Sequence, residues 1–160
     1  MSDLLQAATL ITAMGCGLVA GVFFAFSSFV VQALAELSPV QGVAAMQSIN
    51  RRAINPLFML ALFGTALACV GLAACAVRSW DGPAAVCLAA GGAVYLVGAI
   101  LVTIVGNVPL NAGLAKLDPR TADATGYWRR FVRAWTAWNH VRAVAALVAT
   151  ALLMVGLIVA

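Results

Sequence analysis

Charge is what this sequence most lacks. Of its 160 residues only 9% are charged while 64% are hydrophobic, and the mean hydropathy is +1.06; an ordinary globular chain carries about 25% charged residues. A water-soluble domain is excluded on that ground. Histidine occurs once, as His140, and the four cysteines, Cys16, Cys69, Cys75 and Cys87, have no CxxC spacing and lie far from it in sequence. A cysteine metal site or dithiol redox motif is therefore not expected. The cysteines read as small buried hydrophobes, although Cys75 and Cys87 flank one connection at similar depth and could pair in an oxidising compartment. Nucleotide loops and cofactor fingerprints are also missing, which argues against ATP-driven transport and against flavin or nicotinamide chemistry. There is no internal repeat and no low-complexity tail.

What is present is apolar sequence in long uncharged runs: Leu4 to Ala35, Ala53 to Val77, Gly82 to Ala115 and Ala143 to Ala160. Each meets the roughly 18-residue length that spans a bilayer as a helix. The first run is too long for a signal-peptide core and follows Asp3 rather than a basic segment, so it reads as a helix. The expected fold is all-α: one transmembrane domain over 1–160, an integral membrane four-helix bundle with spans near 4–35, 55–78, 84–112 and 136–160.

Net charge +4 does not point to nucleic acid, because no soluble domain exists to carry such a surface. The positions of the basic residues explain them better. Arg51 and Arg52 follow the first span, Arg78 alone follows the second, and Lys116, Arg120, Arg129, Arg130, Arg133 and Arg142 fall between the third span and the start of the fourth. Basic loops stay cytoplasmic. Loops one and three are therefore expected on the cytoplasmic side of the cell membrane, in bacterial terms the inner membrane, with both termini outside.

Local signals set the helix ends. Ser38-Pro39-Val40-Gln41 reads as a capping box with proline at the first helical position, which starts a short amphipathic helix running toward Arg52. Asn55-Pro56 repeats the cap and opens the second span. Trp80-Asp81-Gly82-Pro83 reads as a tight turn between the second and third spans. Asp118-Pro119 reads as the start of a second short cytoplasmic helix, whose Tyr127, Trp128, Arg129, Arg130, Phe131 and Arg133 suit the membrane interface and anionic headgroups. Gly17 and Gly21 form a GxxxG, a packing face for close helix approach.

The polar residues within the spans gather at the basic end. Phe24, Ser28 and Gln32 share one face of the first helix at four-residue spacing; Thr103, Asn107 and Asn111 do so in the third, with Tyr95 two turns earlier. Pro109 lies between the two asparagines, where it removes a backbone donor and predicts a kink. Trp135, Asn139 and Arg142 form a stripe at the start of the fourth helix beside Trp138 and His140, and Asn50, Arg51 and Asn55 stand at the entry to the second. These groups could simply knit the bundle together. They could equally line a pocket for a planar, partly polar molecule, with amides and hydroxyls for its oxygens, aromatics for its rings and Arg for an anion.

Several segments carry a family resemblance: Val22-Phe23-Phe24-Ala25-Phe26-Ser27-Ser28-Phe29-Val30, Ala45-Met46-Gln47-Ser48-Ile49-Asn50, Asn55-Pro56, Asn107-Val108-Pro109-Leu110-Asn111 and Trp135-Thr136-Ala137-Trp138-Asn139-His140-Val141-Arg142. Together they resemble the anthrone oxygenase-like family of small four-helix membrane proteins, many of whose members are labelled only as a domain of unknown function. The resemblance implies oxidation of an anthrone to an anthraquinone, with dioxygen as co-substrate. An anthrone's acidic methylene gives a carbanion that can pass an electron to dioxygen without a metal, so such a protein needs a base, anion stabilisers and a dry aromatic cage. On that reading Asn107 and Asn111 donate to the enolate oxygen, Arg142 or Arg51 is its electrostatic partner, Trp135 and Trp138 form the cage, and His140 is the one side chain suited to act as a general base near neutrality. Its register also sets His140 aside from the stripe of 135, 139 and 142.

No metal is expected: a facial triad needs two histidines and a carboxylate, and the acids lie at loops and span ends. A haem on His140 stays open by residue counting. Two other functional classes fit the same residues. One is a module that binds or transports an aromatic or lipid-like ligand, oligomerising if it transports. The other is an assembly protein in which the polar residues are helix glue. The topology is tested by single cysteines introduced at Arg52, Arg120 and the C-terminus of a cysteine-free background. The first two should react with an impermeant maleimide only after the membrane is opened, and the third before; the reverse pattern would invert the orientation.

Overall fold

The computed structural model describes residues 1–78 and 82–160, and all their regular structure is helical. Of the expected turn Trp80-Asp81-Gly82-Pro83, the first two residues lie outside the described residues, and Gly82 has the positive φ of 71° that such a turn uses. Four helices are long and apolar enough to cross a membrane: α1 (Asp3–Glu36), α3 (Pro56–Arg78), α4 (Gly82–Ala115) and α5 (Ala122–Ile158). A shorter helix, α2 (Pro39–Ala53), joins the first two. This is the expected all-α four-helix bundle. Large apolar side chains face outward along it, among them Leu57, Leu67, Leu147 and Ile158, as a lipid-facing surface requires and a water-facing one does not.

The caps act largely as the residues suggest. The Ser38 hydroxyl accepts from the Gln41 N–H at 3.4 Å, but it is the Gln41 side chain that returns to that hydroxyl rather than to the Ser38 backbone. Asn55 Oδ1 accepts from Phe58 N–H at 3.0 Å and starts α3. The third connection differs from expectation. Asp118 accepts from Arg120 N–H within a tight turn, and the cap is Thr121, whose hydroxyl accepts from Ala124 N–H at 3.3 Å. The helix after this cap is not a separate cytoplasmic piece: it runs unbroken for 37 residues into the last span, about 55 Å at 1.5 Å per residue.

That continuity gives the bundle two cores. The upper one, along the spans, is built from small side chains such as Ala13, Cys16, Ala20, Cys69, Ala146 and Ala149. Helices surrounded by lipid gain nothing from hiding apolar surface from water, so small residues and close backbones supply the attraction. α5 packs along both α1 and α4, and α3 along α4. A Cβ added to Gly98 would collide with Ala145 of α5, and one added to Gly92 would stand 2.9 Å from the Cys69 carbonyl of α3. The GxxxG does not serve this way: Gly21 faces open space and Gly17 meets only Thr150 at ordinary distance. Cys16 and Cys69 face each other with their sulfurs 4.0 Å apart, whereas Cys75 is exposed and Cys87 half-buried, and all four are free thiols.

The lower core lies at the basic end. There α2 lays Val43 and Met46 on Trp128, Phe131 and Trp135 of α5, with Val31 and Leu114 between. Trp128 and Phe131, expected at the headgroup interface, are buried instead and stack at 5.6 Å, because α2 covers the face of α5 that would otherwise meet the headgroups. Gln47 of α2 donates to the carbonyls of Leu114 and Leu117, both at 2.9 Å. The Leu114 carbonyl also accepts from the Leu117 N–H at 3.2 Å, so Gln47 ties α2 to the turn that closes α4.

Three spans contain π-helical turns: Phe26–Val30 in α1, Leu60–Gly64 in α3, and Leu96–Leu101 and Thr103–Asn107 in α4. The last ends two residues before Pro109, so the kink signal read from that proline corresponds to a local change of helical hydrogen bonding. Replacing Gly98 with leucine should cost about 1–3 kcal/mol by overpacking the α4–α5 contact, while Gly21→Leu should stay within about 0.5 kcal/mol as a surface change. Thermal unfolding in detergent of the two variants checks this; equal losses would refute the assigned packing faces.

Candidate functional site

Two of the polar stripes, that of α4 and that of α5, converge toward the lower end of the spans, where α1 meets them through Phe23 and Ser27. Asn139 is fully buried and donates through Nδ2 to the Phe23 carbonyl at 2.6 Å, just before the π turn of α1, and to the Ser27 hydroxyl at 2.5 Å. Its Oδ1 accepts from Arg142 Nη2, one turn further along α5. Arg142 is only 5% exposed. Its Nη1 donates to the Thr103 hydroxyl of α4 at 3.2 Å, and Thr103 in turn donates to the Ala99 carbonyl. The guanidinium lies 4.1 Å above the Phe23 ring centre and 5.3 Å from that of Trp135, the face-on arrangement that attracts a cation to an aromatic ring.

One level lower, Asn107 is 1% exposed and donates through Nδ2 to the Trp135 carbonyl at 3.2 Å. The Trp135 indole N–H donates to Asn111 Oδ1 at 2.9 Å. Trp135 is the meeting point of the two groups, with Phe26 at 6.0 Å and Phe131 at 6.2 Å between ring centres. Tyr95 lies deeper and fully buried, donating to the Leu62 carbonyl within the π turn of α3. It fastens α4 to α3 rather than facing the other polar groups.

The site therefore unites Arg142, Asn139, Asn107, Asn111, Thr103 and Trp135 from the sequence-derived set. Others stand apart. Phe24, Ser28 and Gln32 face outward, and the Ser28 hydroxyl returns to the Phe24 carbonyl. The inward face of α1 is one residue round, at Phe23, Ser27 and Val31. Trp138 is 42% exposed and lies over Gly106, outside the ring cage assigned to it. His140 is exposed, about 100° around α5 from Asn139. Arg51 and Asn55 are exposed, Asn55 occupied as a cap. Asn50 is half-buried with its Nδ2 unpartnered.

Phe23, Ser27 and Gln47 are the residues that sequence reasoning missed. A signal for the first two exists: extending the small residues Ala13, Cys16 and Ala20 by alternating steps of four and three leads to Phe23 and Ser27, and small residues mark the packed face in lipid. Gln47 gives no such signal, because its partners are backbone carbonyls at the far end of another helix.

Chemically, the site is a cation among neutral groups. The described acids Asp3, Glu36, Asp118 and Asp123 are all exposed, and every partner of Arg142 is an uncharged hydroxyl, amide or ring. Two atoms of this cluster are buried with no partner among the described residues: Arg142 Nε, a donor, and Asn107 Oδ1, an acceptor. Unsatisfied buried polar atoms cost about 1–3 kcal/mol each and mark places where a ligand atom would be stabilised. Among the described residues, no three His, Cys, Asp or Glu side chains come together as a metal site would need.

No curated protein and no solved structure matches the chain. The family model described as anthrone oxygenase matches residues 46–152, which takes in Asn107, Asn111, Trp135, Asn139 and Arg142 but not α1 with Phe23 and Ser27. With two thirds of its length matched, including the polar stripes of α4 and α5, this chain belongs to the anthrone oxygenase family.

Proposed function

We propose that this chain is a membrane-embedded oxygenase that binds a planar aromatic substrate of anthrone type as its enolate beside Arg142. The observation that carries this reading is the buried guanidinium with neutral partners and a free Nε. An isolated buried charge costs several kcal/mol in the resting protein, and an anionic substrate arriving beside it offsets that cost. Binding would then favour the ionised substrate over the neutral one, which is the differential stabilisation catalysis needs.

In this reading Arg142 Nε donates to the enolate oxygen and Asn107 Oδ1 accepts from a ring hydroxyl. Phe23 and Trp135 flank the rings, and Asn111 holds the Trp135 indole in place. The methylene proton passes to water on enolisation. The enolate gives one electron to dioxygen, and the carbon radical and superoxide combine into a C–O bond. Protonation yields a hydroperoxide, which loses water as its O–O bond and the remaining C–H bond at that carbon break. One anthrone and one dioxygen become one anthraquinone and one water. The electrons come from the enolate, so the scheme asks for no metal or haem. We place the chain in the inner membrane with its basic end in the cytoplasm, from which the site would be reached.

Dioxygen uptake by the purified protein in lipid nanodiscs, with a simple anthrone, tests the proposal. Wild type should consume one dioxygen per quinone formed, above the spontaneous rate and without net hydrogen peroxide. Arg142→Met should lower kcat/KM about 100-fold or more, the range for losing one preorganised charge stabiliser, while melting no more than a few degrees lower, since the partners of Arg142 are uncharged and its removal leaves no buried counter-charge behind. Substrate retention without uptake would replace the oxygenase with a binding protein. A large loss of stability in Arg142→Met would make the cluster helix glue.

A further inference from the structure

α5 has a second polar face. About 100° around from Asn139, an open groove of about 780 Å³ runs between the lower part of α5 and α1, lined by Arg130, Arg133, Thr136 and His140 on one side and Gln32 on the other. No acid lines it. Exposed basic residues near a membrane surface are ordinary, and they would carry no argument alone. Thr136 adds one. The hydroxyls of Thr9, Thr12, Thr103 and Thr150 each return to the carbonyl four residues back, the usual solution for a threonine inside a helix. Thr136 does not: it is 92% buried, being 8% exposed, and its hydroxyl finds no partner among the described residues.

The continuation of this face decides what kind of ligand it suits. Arg133, Ala137, His140, Val144 and Leu147 succeed one another at alternating steps of four and three, so they form a single outward stripe along α5. Its lower half carries a guanidinium and an imidazole, its upper half exposed aliphatic groups, with Val144 61% and Leu147 62% exposed. On α1, Gln32 is succeeded in the same direction by Ser28 and the exposed Phe24. A free anion would use only the lower half. A molecule with an anionic head and an apolar tail would use both.

We infer that this groove is a binding site for an anionic phospholipid, with its phosphate held by Arg130, Arg133, His140 and the Thr136 hydroxyl and its acyl chain lying along Val144 and Leu147. The inference is independent of the oxygenase reading, because it uses a different face of α5. It also places the outward Ser28 and Gln32 beside a polar headgroup rather than bare hydrocarbon.

The test is native mass spectrometry of the protein released from phosphatidylcholine nanodiscs doped with phosphatidylglycerol, comparing wild type with three variants. Wild type should retain phosphatidylglycerol preferentially. Arg130→Gln with Arg133→Gln should weaken retention at least tenfold, in line with the contribution of a basic residue at an anionic surface, whereas Arg51→Gln with Arg52→Gln, an equal charge change elsewhere at the basic end, should change it little. Thr136→Val removes no charge, yet should also weaken retention. Equal losses from the two arginine pairs, or no effect of Thr136→Val, would reduce the groove to diffuse surface attraction and overturn the proposal. Full displacement of the lipid by inorganic phosphate would overturn it in favour of a free-anion site.

Discussion

A guanidinium buried in a lipid-embedded bundle without a carboxylate beside it is the constraint around which the lower half of this molecule is arranged. Arg142 reaches α4 through Thr103 and α1 through Asn139, which itself bonds to Phe23 and Ser27. One residue of α5 thus ties together three of the four spans. Interhelical hydrogen bonds of this kind average only about 0.6 kcal/mol in membranes, far less than the cost of burying the charge. The cluster is therefore better understood as held in place by the packing around it than as the source of that packing.

Two kinds of packing do the holding, and they differ because their surroundings differ. Along the spans, lipid offers apolar groups no incentive to leave it, and the bundle relies on alanine, cysteine and glycine to bring backbones close. Below them, α2 and the first turns of α5 bury large aromatics against Met46 and Val43. There water is near, and each large side chain covered contributes about 1.5–3 kcal/mol. The polar cluster sits at the junction, with Trp135 belonging to both.

Position along the membrane explains how α5 can present different chemistry on two faces of the same turns. Inward, Asn139 and Arg142 meet Phe23, Ser27 and Thr103 of two other helices and are enclosed. Outward, Arg133 and His140 remain exposed. The π-helical turns contribute to the first of these: those in α1 and α4 adjoin or contain Phe23, Thr103 and Asn107, the residues whose backbones or side chains the cluster uses. A π turn rotates the residues beyond it relative to an unbroken α-helix, which re-aims side chains without breaking the span.

Much of this is legible in the residues alone, for identifiable reasons. Long uncharged runs permit only helices in lipid, since each backbone group must find its partner within the segment. Caps such as Ser38 and Asn55 are local, and the asparagines, Trp135 and Arg142 are costly enough in a membrane that their presence signals a site. What the chain does not reveal locally is orientation about each helix axis. A lipid-facing helix is apolar all round, so no hydrophobic stripe distinguishes inside from outside, and the first helix reads one residue out of register, at Ser28 instead of Ser27. The burial of Trp128, the partners of Gln47 and the separation of His140 from Arg142 are likewise decided only in three dimensions. Each depends on which face of one helix another happens to cover, and that is a property of packing between distant segments rather than of any segment itself.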